Sequence, residues 1–284
     1  MKIGVQIGFS DATPPDLIAA YGGIIEARGF HSIWVPEHVV FFQEYASRYP
    51  YARDGKIPGN PNGVMDPFIA LTFLAAHTER VRLGTGICLV PQRNPIYTAK
   101  QVADVDYLSR GRFDFGIGVG WLREEFVALG VPWERRAART RECIAVMKTL
   151  WCDEVSSFKG EFFTLPECLQ NPKPTQKPHP PIFFGGESDA ALRRVAELGQ
   201  GWFGYNLTVE ELAACLTRLD ELLAEAGRTR SDVAVYASPQ GPLDRATCER
   251  FAALGVEQIN VPLAARDADR LRRKADALAD EVLR

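Results

Sequence analysis

The segment from Arg80 to Trp121, RVRLGTGICLVPQRNPIYTAKQVADVDYLSRGRFDFGIGVGW, restricts the chain to folds built on a parallel sheet. Two apolar runs, Val81 to Leu89 and Phe113 to Val119, flank one amphipathic helix near Ile96–Leu108. Neither run alternates cleanly between apolar and polar residues, which is the pattern of a strand buried on both faces. The unit is a βαβ crossover. Gly84, Gly86, Gly116, Gly118 and Gly120 cluster at its strand ends. Turn chemistry explains any one of them; the set at two neighbouring strand ends predicts a ligand close to the backbone.

The same alternation runs through the chain. Strands are predicted at Lys2–Gly8, His31–Pro36, Val81–Leu89, Phe113–Val119, Pro181–Gly185, Gly201–Tyr205, Val233–Ala237 and Gln258–Pro262, with helices between them and a last helix from Asp267. Leu17, Ile18, Tyr21, Ile24 and Ile25 share one face of the first helix, and Leu212, Leu216, Leu219 and Leu223 share one face of a later helix. Eight strand–helix alternations in 284 residues predict a single (β/α)8 TIM barrel over residues 1–284, with right-handed crossovers. A doubly wound open sheet is the alternative. Two insertions interrupt the pattern. The first, Val39 to Met65 after strand 2, carries Tyr45, Tyr49 and Tyr51 and is read as a partly ordered lid over the strand C-termini. The second, Asp153 to Pro181 before strand 5, has six prolines, too many for a regular element inside a sheet.

Composition removes several function classes. A formal net charge of -3 offers no excess for nucleic acid. No run has the length of a membrane span, and the N-terminus reads as a strand rather than a secretion signal, so a cytoplasmic protein is expected. Six dispersed cysteines without a CxxC pair fit reduced thiols. Four scattered histidines without a spaced carboxylate partner predict no metal site.

Chemistry is expected at the strand tips. His38 ends strand 2 directly before the lid, where an imidazole can donate a hydrogen bond or shuttle a proton near neutral pH. Glu37 is read either as a site residue or as the ion-pair partner of Arg53 or Arg93. Strand 5 ends in Gly185-Gly186-Glu187-Ser188-Asp189 and runs straight into a helix, an arrangement that suits a phosphate. Gly185, Gly186 and Ser188 are the favoured contacts, with a simple helix cap at Ser188 or Asp189 as the alternative. Thr85 and the adjoining backbone are expected to face a ring system across the barrel mouth.

At these residues the chain resembles the bacterial luciferase-like monooxygenases, in particular the branch that uses the deazaflavin coenzyme F420. The likeness runs through KIGVQIG, SIWVPEH, LGTGICLVPQRNP, AKQVADVDYLSRGR, GIGVGW and PIFFGGESDAALRRVAELGQGWF, in that order. It implies a flavin or deazaflavin ring in the barrel mouth, bordered by Glu37, His38, Thr85, Gly86, Ile87, Gly118, Gly120 and Trp121. It also implies a phosphate at Gly185, Gly186, Glu187 and Ser188, and a cis peptide bulge at Gly86–Ile87. His38 maps onto the histidine near the reactive carbon. A sugar-phosphate dehydrogenase of that branch has a glutamate proton donor where this chain has Trp121, and an indole cannot deliver a proton; Glu124 or Glu125 are candidate substitutes that do not match the motif. The implied activity is hydride exchange between F420 and a small organic substrate, possible as a homodimer. Competing readings are an FMN-dependent monooxygenase, a flavin-binding protein without turnover, and an isomerase or aldolase acting on a phosphorylated sugar, the last disfavoured by the lack of a lysine at a strand tip.

Overall fold

A computed structural model describes residues 1–58 and 63–283 of the chain; residues 59–62 of the predicted lid lie outside the described residues. The strands are β1 (Lys2–Gln6), β2 (Ser32–Val35), β3 (Arg82–Thr85), β4 (Cys88–Leu89), β5 (Phe113–Gly118), β6 (Ser156–Lys159), β7 (Thr164–Cys168), β8 (Ile182–Gly185), β9 (Gly201–Leu207), β10 (Ala234–Pro239) and β11 (Gln258–Pro262). The helices are α1 (Pro15–Ala27), α2 (Pro67–Ala76), α3 (Pro95–Leu108), α4 (Arg123–Ala128), α5 (Arg136–Cys152), α6 (Asp189–Leu198), α7 (Val209–Glu225), α8 (Arg245–Ala253) and α9 (Ala268–Val282).

Nine strands form one sheet in the order β3-β2-β1-β11-β10-β9-β8-β5-β4, and β3 also pairs with β5, which closes the ring. Because β3 and β4 are two pieces of one stave, the nine strands make the eight staves of a parallel (β/α)8 barrel. The predicted strand Val81–Leu89 is broken in its middle by a cis peptide between Gly86 and Ile87. Both pieces pair with β5, through Gly84↔Asp114 and Cys88↔Ile117, so four steps on one side face three on the other and the stave bulges at the barrel mouth.

The interior of the barrel explains part of the glycine set. Trp34, fully buried, meets Phe183, Phe203 and Tyr236 edge-on, at ring separations of 5.7, 5.2 and 5.9 Å. A Cβ at Gly84 would lie 2.6 Å from the Trp34 ring, and one at Gly116 would lie 2.0 Å from the Thr85 carbonyl oxygen. These two glycines are there for packing, contrary to the expectation that the whole set faces a ligand. Gly86, Gly118 and Gly120 do border the cavity at the mouth.

The proline-rich second insertion departs from expectation in another way. It contains an antiparallel hairpin, β6–β7, outside the barrel sheet. Pro166 is tolerated in β7 because it falls where the register shifts between the Ser156↔Cys168 and Phe158↔Leu165 pairs, a position that does not use its missing N–H. The short helix α4 follows β5 and was not predicted; six residues are too few to show helical periodicity. Asp66 caps α2 as expected, accepting from the N–H groups of Phe68 and Ile69, with Pro67 at the first helical position. No described helix is long and apolar enough to cross a membrane.

Candidate active site

A cavity of about 770 Å³ opens at the C-terminal ends of the strands, a size suited to a cofactor or substrate. Its walls come from the segments after β1, β2, β5 and β8, from β9 and the end of β11, from the β3–β4 bulge, and from the first insertion. Lid residues Phe41, Tyr49, Tyr51, Ile57 and Val64 face it, which supports the lid reading for the described part of that segment.

His38 borders the cavity and its Nδ1 lies 3.0 Å from Glu125 Oε2. Glu125 is fully buried. Burial alone would raise its carboxyl, but hydrogen bonds from His38, from Gln92 and from the Val39 N–H outweigh that and hold it below the usual carboxylate range. An ionised carboxylate only accepts, so His38 carries its proton on Nδ1 and donates it to Glu125. The other ring nitrogen, Nε2, has no hydrogen-bond partner among the described residues and is available to a ligand. Three more bonds reach the carboxylate: Gln92 Nε2 donates to Oε2 at 3.0 Å, and the N–H groups of Val39 and Val40 donate to Oε1 at 2.7 and 3.3 Å.

Glu124, the neighbouring carboxylate, faces the lid. It accepts from Ala46 N–H at 2.6 Å and from the Ser47 hydroxyl at 2.6 Å. Burial would raise this carboxyl, whereas these hydrogen bonds hold it at about 2. Neither acid borders the cavity, so neither replaces the missing proton donor at Trp121: Glu125 orients His38, and Glu124 fastens the loop. Glu37 is 4% exposed and pairs with Arg93, which also reaches Asp66. It resolves as the Arg93 partner rather than that of Arg53, while still bordering the cavity.

Trp121 stands where two lid aromatics and the imidazole meet. Its ring lies 5.2 Å from Tyr49, 5.9 Å from Tyr45 and 5.7 Å from His38, all edge-to-face. On the opposite side, Tyr51 packs on Tyr205 at 4.8 Å and its hydroxyl donates to Glu187 at 3.0 Å. Burial pushes the Glu187 carboxyl up despite that bond and a second one from Tyr205 N–H. Gly186 adopts φ 103°, a conformation that suits glycine, and turns the chain into α6. Ser188 is the N-cap of that helix, its hydroxyl accepting from Ala191 N–H. The capping alternative holds for the Ser188 hydroxyl, although the residue borders the cavity.

All of the residues expected at the site border this cavity except Thr85. Thr85 is fully buried and its hydroxyl donates to the Gly116 carbonyl at 2.6 Å, which ties β3 to β5 below the mouth instead of facing a ring. Two residues escaped the sequence reading in these roles. Glu125 is 87 residues from His38 and on an unpredicted helix. Arg194 also borders the cavity, and it is 7% exposed; in the sequence nothing distinguishes it from the adjacent Arg193. No group of three or more metal-ligating side chains occurs among the described residues.

The profile of the luciferase-like monooxygenases matches residues 3–243. Uncharacterized protein Rv0953c of Mycobacterium tuberculosis is 31% identical over 266 residues, 93% of each chain. An F420-dependent glucose-6-phosphate dehydrogenase of Microbacterium testaceum is 29% identical over 82% of this chain and 67% of its own. An FMNH(2)-dependent dimethylsulfone monooxygenase of Pseudomonas putida is 34% identical over 54% of this chain and 42% of its own. The coenzyme F420 dependent tetrahydromethanopterin reductase of Methanopyrus kandleri superposes with a TM-score of 0.77, covering 99% of this chain and 98% of that one; at 17% identity the likeness is one of fold. The barrel, its broken third stave and the profile match agree: the chain belongs to the luciferase-like monooxygenase family, a family of oxidoreductases and monooxygenases.

Proposed function

We propose that the protein is an oxidoreductase that exchanges a hydride between the deazaflavin coenzyme F420 and a neutral small molecule carrying a carbonyl or hydroxyl group. The observation that carries this reading is the His38–Glu125 pair at the cavity wall. Hydride transfer to or from such a carbon requires a proton to move at its oxygen, and a histidine with one free ring nitrogen is suited to that step.

The residues present fit a flavin-type group. Gly118 and Gly185 flank Ile87 so closely that an added Cβ would lie 2.2 or 2.8 Å from its side chain, so glycine at both positions lets the bulge form one wall of the cavity. Gly86, Ile87, Gly118 and Gly120 would lie along the ring, and the Gly185–Ser188 turn would hold the phosphate. When bound, the deazaflavin supplies hydride chemistry at the carbon that stands in place of flavin N5. His38 Nε2 then gives a proton to the substrate oxygen or takes one from it, with Glu125 holding the opposite nitrogen and stabilising the charged imidazole. Trp121, Phe41 and Tyr49 exclude water and pack an apolar substrate.

Among the described residues no lysine or arginine borders the cavity at the His38 end; Arg194 belongs to the segment beside the turn. A substrate with its own phosphate would have no counter-ion there, which argues against glucose 6-phosphate despite the relative that uses it. An FMN-dependent monooxygenase is the second reading, favoured by the identity to the dimethylsulfone monooxygenase. Titrating the purified protein with F420 and FMN separates them: binding of F420 with reduction by a neutral alcohol is expected, and tight binding of FMN alone would sink the deazaflavin assignment.

A further inference from the structure

Helix α6 places two adjacent arginines in opposite surroundings. Arg193 points outward, 2.9 Å from Glu225. Arg194, one residue on, is 7% exposed and borders the cavity. It makes no hydrogen bond or ion pair among the described residues. Three other arginines drawn into the fold have partners: Arg93 pairs with Glu37 and Asp66, Arg82 with Asp114, and Arg112 with the hydroxyl of Thr78 and the carbonyls of Val81, Ala75 and Thr78.

The charges nearest Arg194 make its situation less favourable. Burial lowers its basicity, Arg141 and Arg136 lower it further, and Glu197 alone opposes them. Glu197 is itself engaged by Arg141. Arg136 stacks on Trp133 and has no carboxylate partner among the described residues, where its Nε is buried without an acceptor. A guanidinium stays charged throughout the physiological range, so a buried one facing a cavity in a positive field is completed only by an anion. That cavity wall continues into Ala191, Ser188, Gly186 and Gly185, the N-terminal end of the same helix, where the backbone also favours negative charge.

We propose that Arg194 is the charged recognition residue of an anion subsite shared with the Gly185–Ser188 turn, that it takes a phosphoryl group, and that it makes the protein select phosphorylated over unphosphorylated flavin-type cofactors. Arg136 and Arg141 act through their field and do not touch the ligand. The identity of the ligand rests on the function proposed above; the charge of the subsite does not.

The test compares wild type with Arg194→Ala, Arg194→Lys and, as a control on the outer helix face, Arg193→Ala. The probes are riboflavin, FMN, F420 and inorganic phosphate, with affinities read by fluorescence or calorimetry and folding checked by circular dichroism. Arg194→Ala is expected to weaken the phosphorylated cofactor that binds by roughly 10- to 100-fold, the range for a charge-assisted hydrogen-bond pair, with riboflavin and the Arg193→Ala protein unchanged. Arg194→Lys retains part of the affinity because it keeps the charge and loses the planar fork. FMN against F420 tells whether the phosphoryl group is a monoester or a diester. Equal loss for riboflavin would mean that Arg194 only packs, and unchanged affinity for the phosphorylated probes would remove it from the site; either result overturns the proposal. If wild type binds no flavin, the cofactor reading fails and phosphate decides the subsite alone: thermal stabilisation by phosphate in wild type but not in Arg194→Ala sustains it, and equal responses overturn it.

Discussion

The two ends of the cavity treat charge differently. At the His38 end every buried ionic group is matched: Glu125 accepts from a ring nitrogen, an amide and the backbone, and Glu37 is engaged by Arg93 and the Leu89 N–H. At the α6 end a buried arginine has no hydrogen-bond or ion-pair partner among the described residues. A fully matched network fixes the geometry of a reacting group in advance, and an unmatched cation is left for something that arrives later. On the function proposed above, one end would serve the chemistry and the other the capture of the anion.

Substitutions can break this contrast. The largest effect is expected from His38→Ala, which should lower the rate of cofactor reduction by about 10²–10⁴-fold, the usual range for a general acid–base group. Single-turnover kinetics with any substrate the wild type accepts would measure it. Glu125→Gln should cost less, by about 10- to 100-fold by analogy with the loss of an orienting partner, and should change the pH–rate profile, because the imidazole loses its ionised partner. An unchanged profile would show that Glu125 serves only the loop.

Stability should separate the two ends next. Removing Arg93, as in Arg93→Ala, leaves the Glu37 carboxylate buried and unpaired and should destabilise the protein by about 3 kcal/mol in urea melts. Arg194→Ala should leave the ligand-free protein as stable as wild type or slightly more so, since it removes a buried cation that nothing balances. Comparable losses in both variants would erase the distinction between them. Between these lies Gly84→Ala, which forces a methyl against Trp34 and should cost about 1–3 kcal/mol by overpacking while leaving cofactor affinity intact in whatever protein folds.

The smallest effect concerns acid. The Glu124 carboxyl is held at about 2 in the folded protein, well below its ordinary value of 4.5. Its folded value is depressed, so its contribution is complete above about 4.5 and disappears as pH falls through about 2. The protection of the Ala46 and Ser47 amides, relative to their intrinsic exchange rates, should fall over that window, before the barrel strands lose protection. Because Glu124 is partly open to solvent, the change should be local rather than global.

Most of the barrel was legible because parallel strands and amphipathic helices announce themselves by residues close in sequence. The helix Val209–Glu225 is an example, with its leucines at helical spacing. The positions of Glu37, His38 and the Gly185–Ser188 turn followed from the rule that such barrels place ligands at strand C-termini. What escaped depended on tertiary contact. Thr85 looks the same in sequence whether it faces a cofactor or bonds to Gly116, and Gly84 looks the same as Gly118. Arg193 and Arg194 differ only by the 100° turn of a helix, yet one is solvated and the other buried. Glu125 needed the long separation between β2 and α4 to be folded away before its partnership with His38 could exist.

That partnership also joins two motions. The Glu125 carboxylate that orients His38 is the same one that accepts from Val39 and Val40 N–H at the root of the lid. Opening the loop there and freeing the imidazole draw on a single acceptor, so each stabilises or loosens the other by linkage. A shift of the backbone that withdrew the Val39 or Val40 N–H from Glu125 would therefore also loosen the carboxylate's hold on the His38 imidazole.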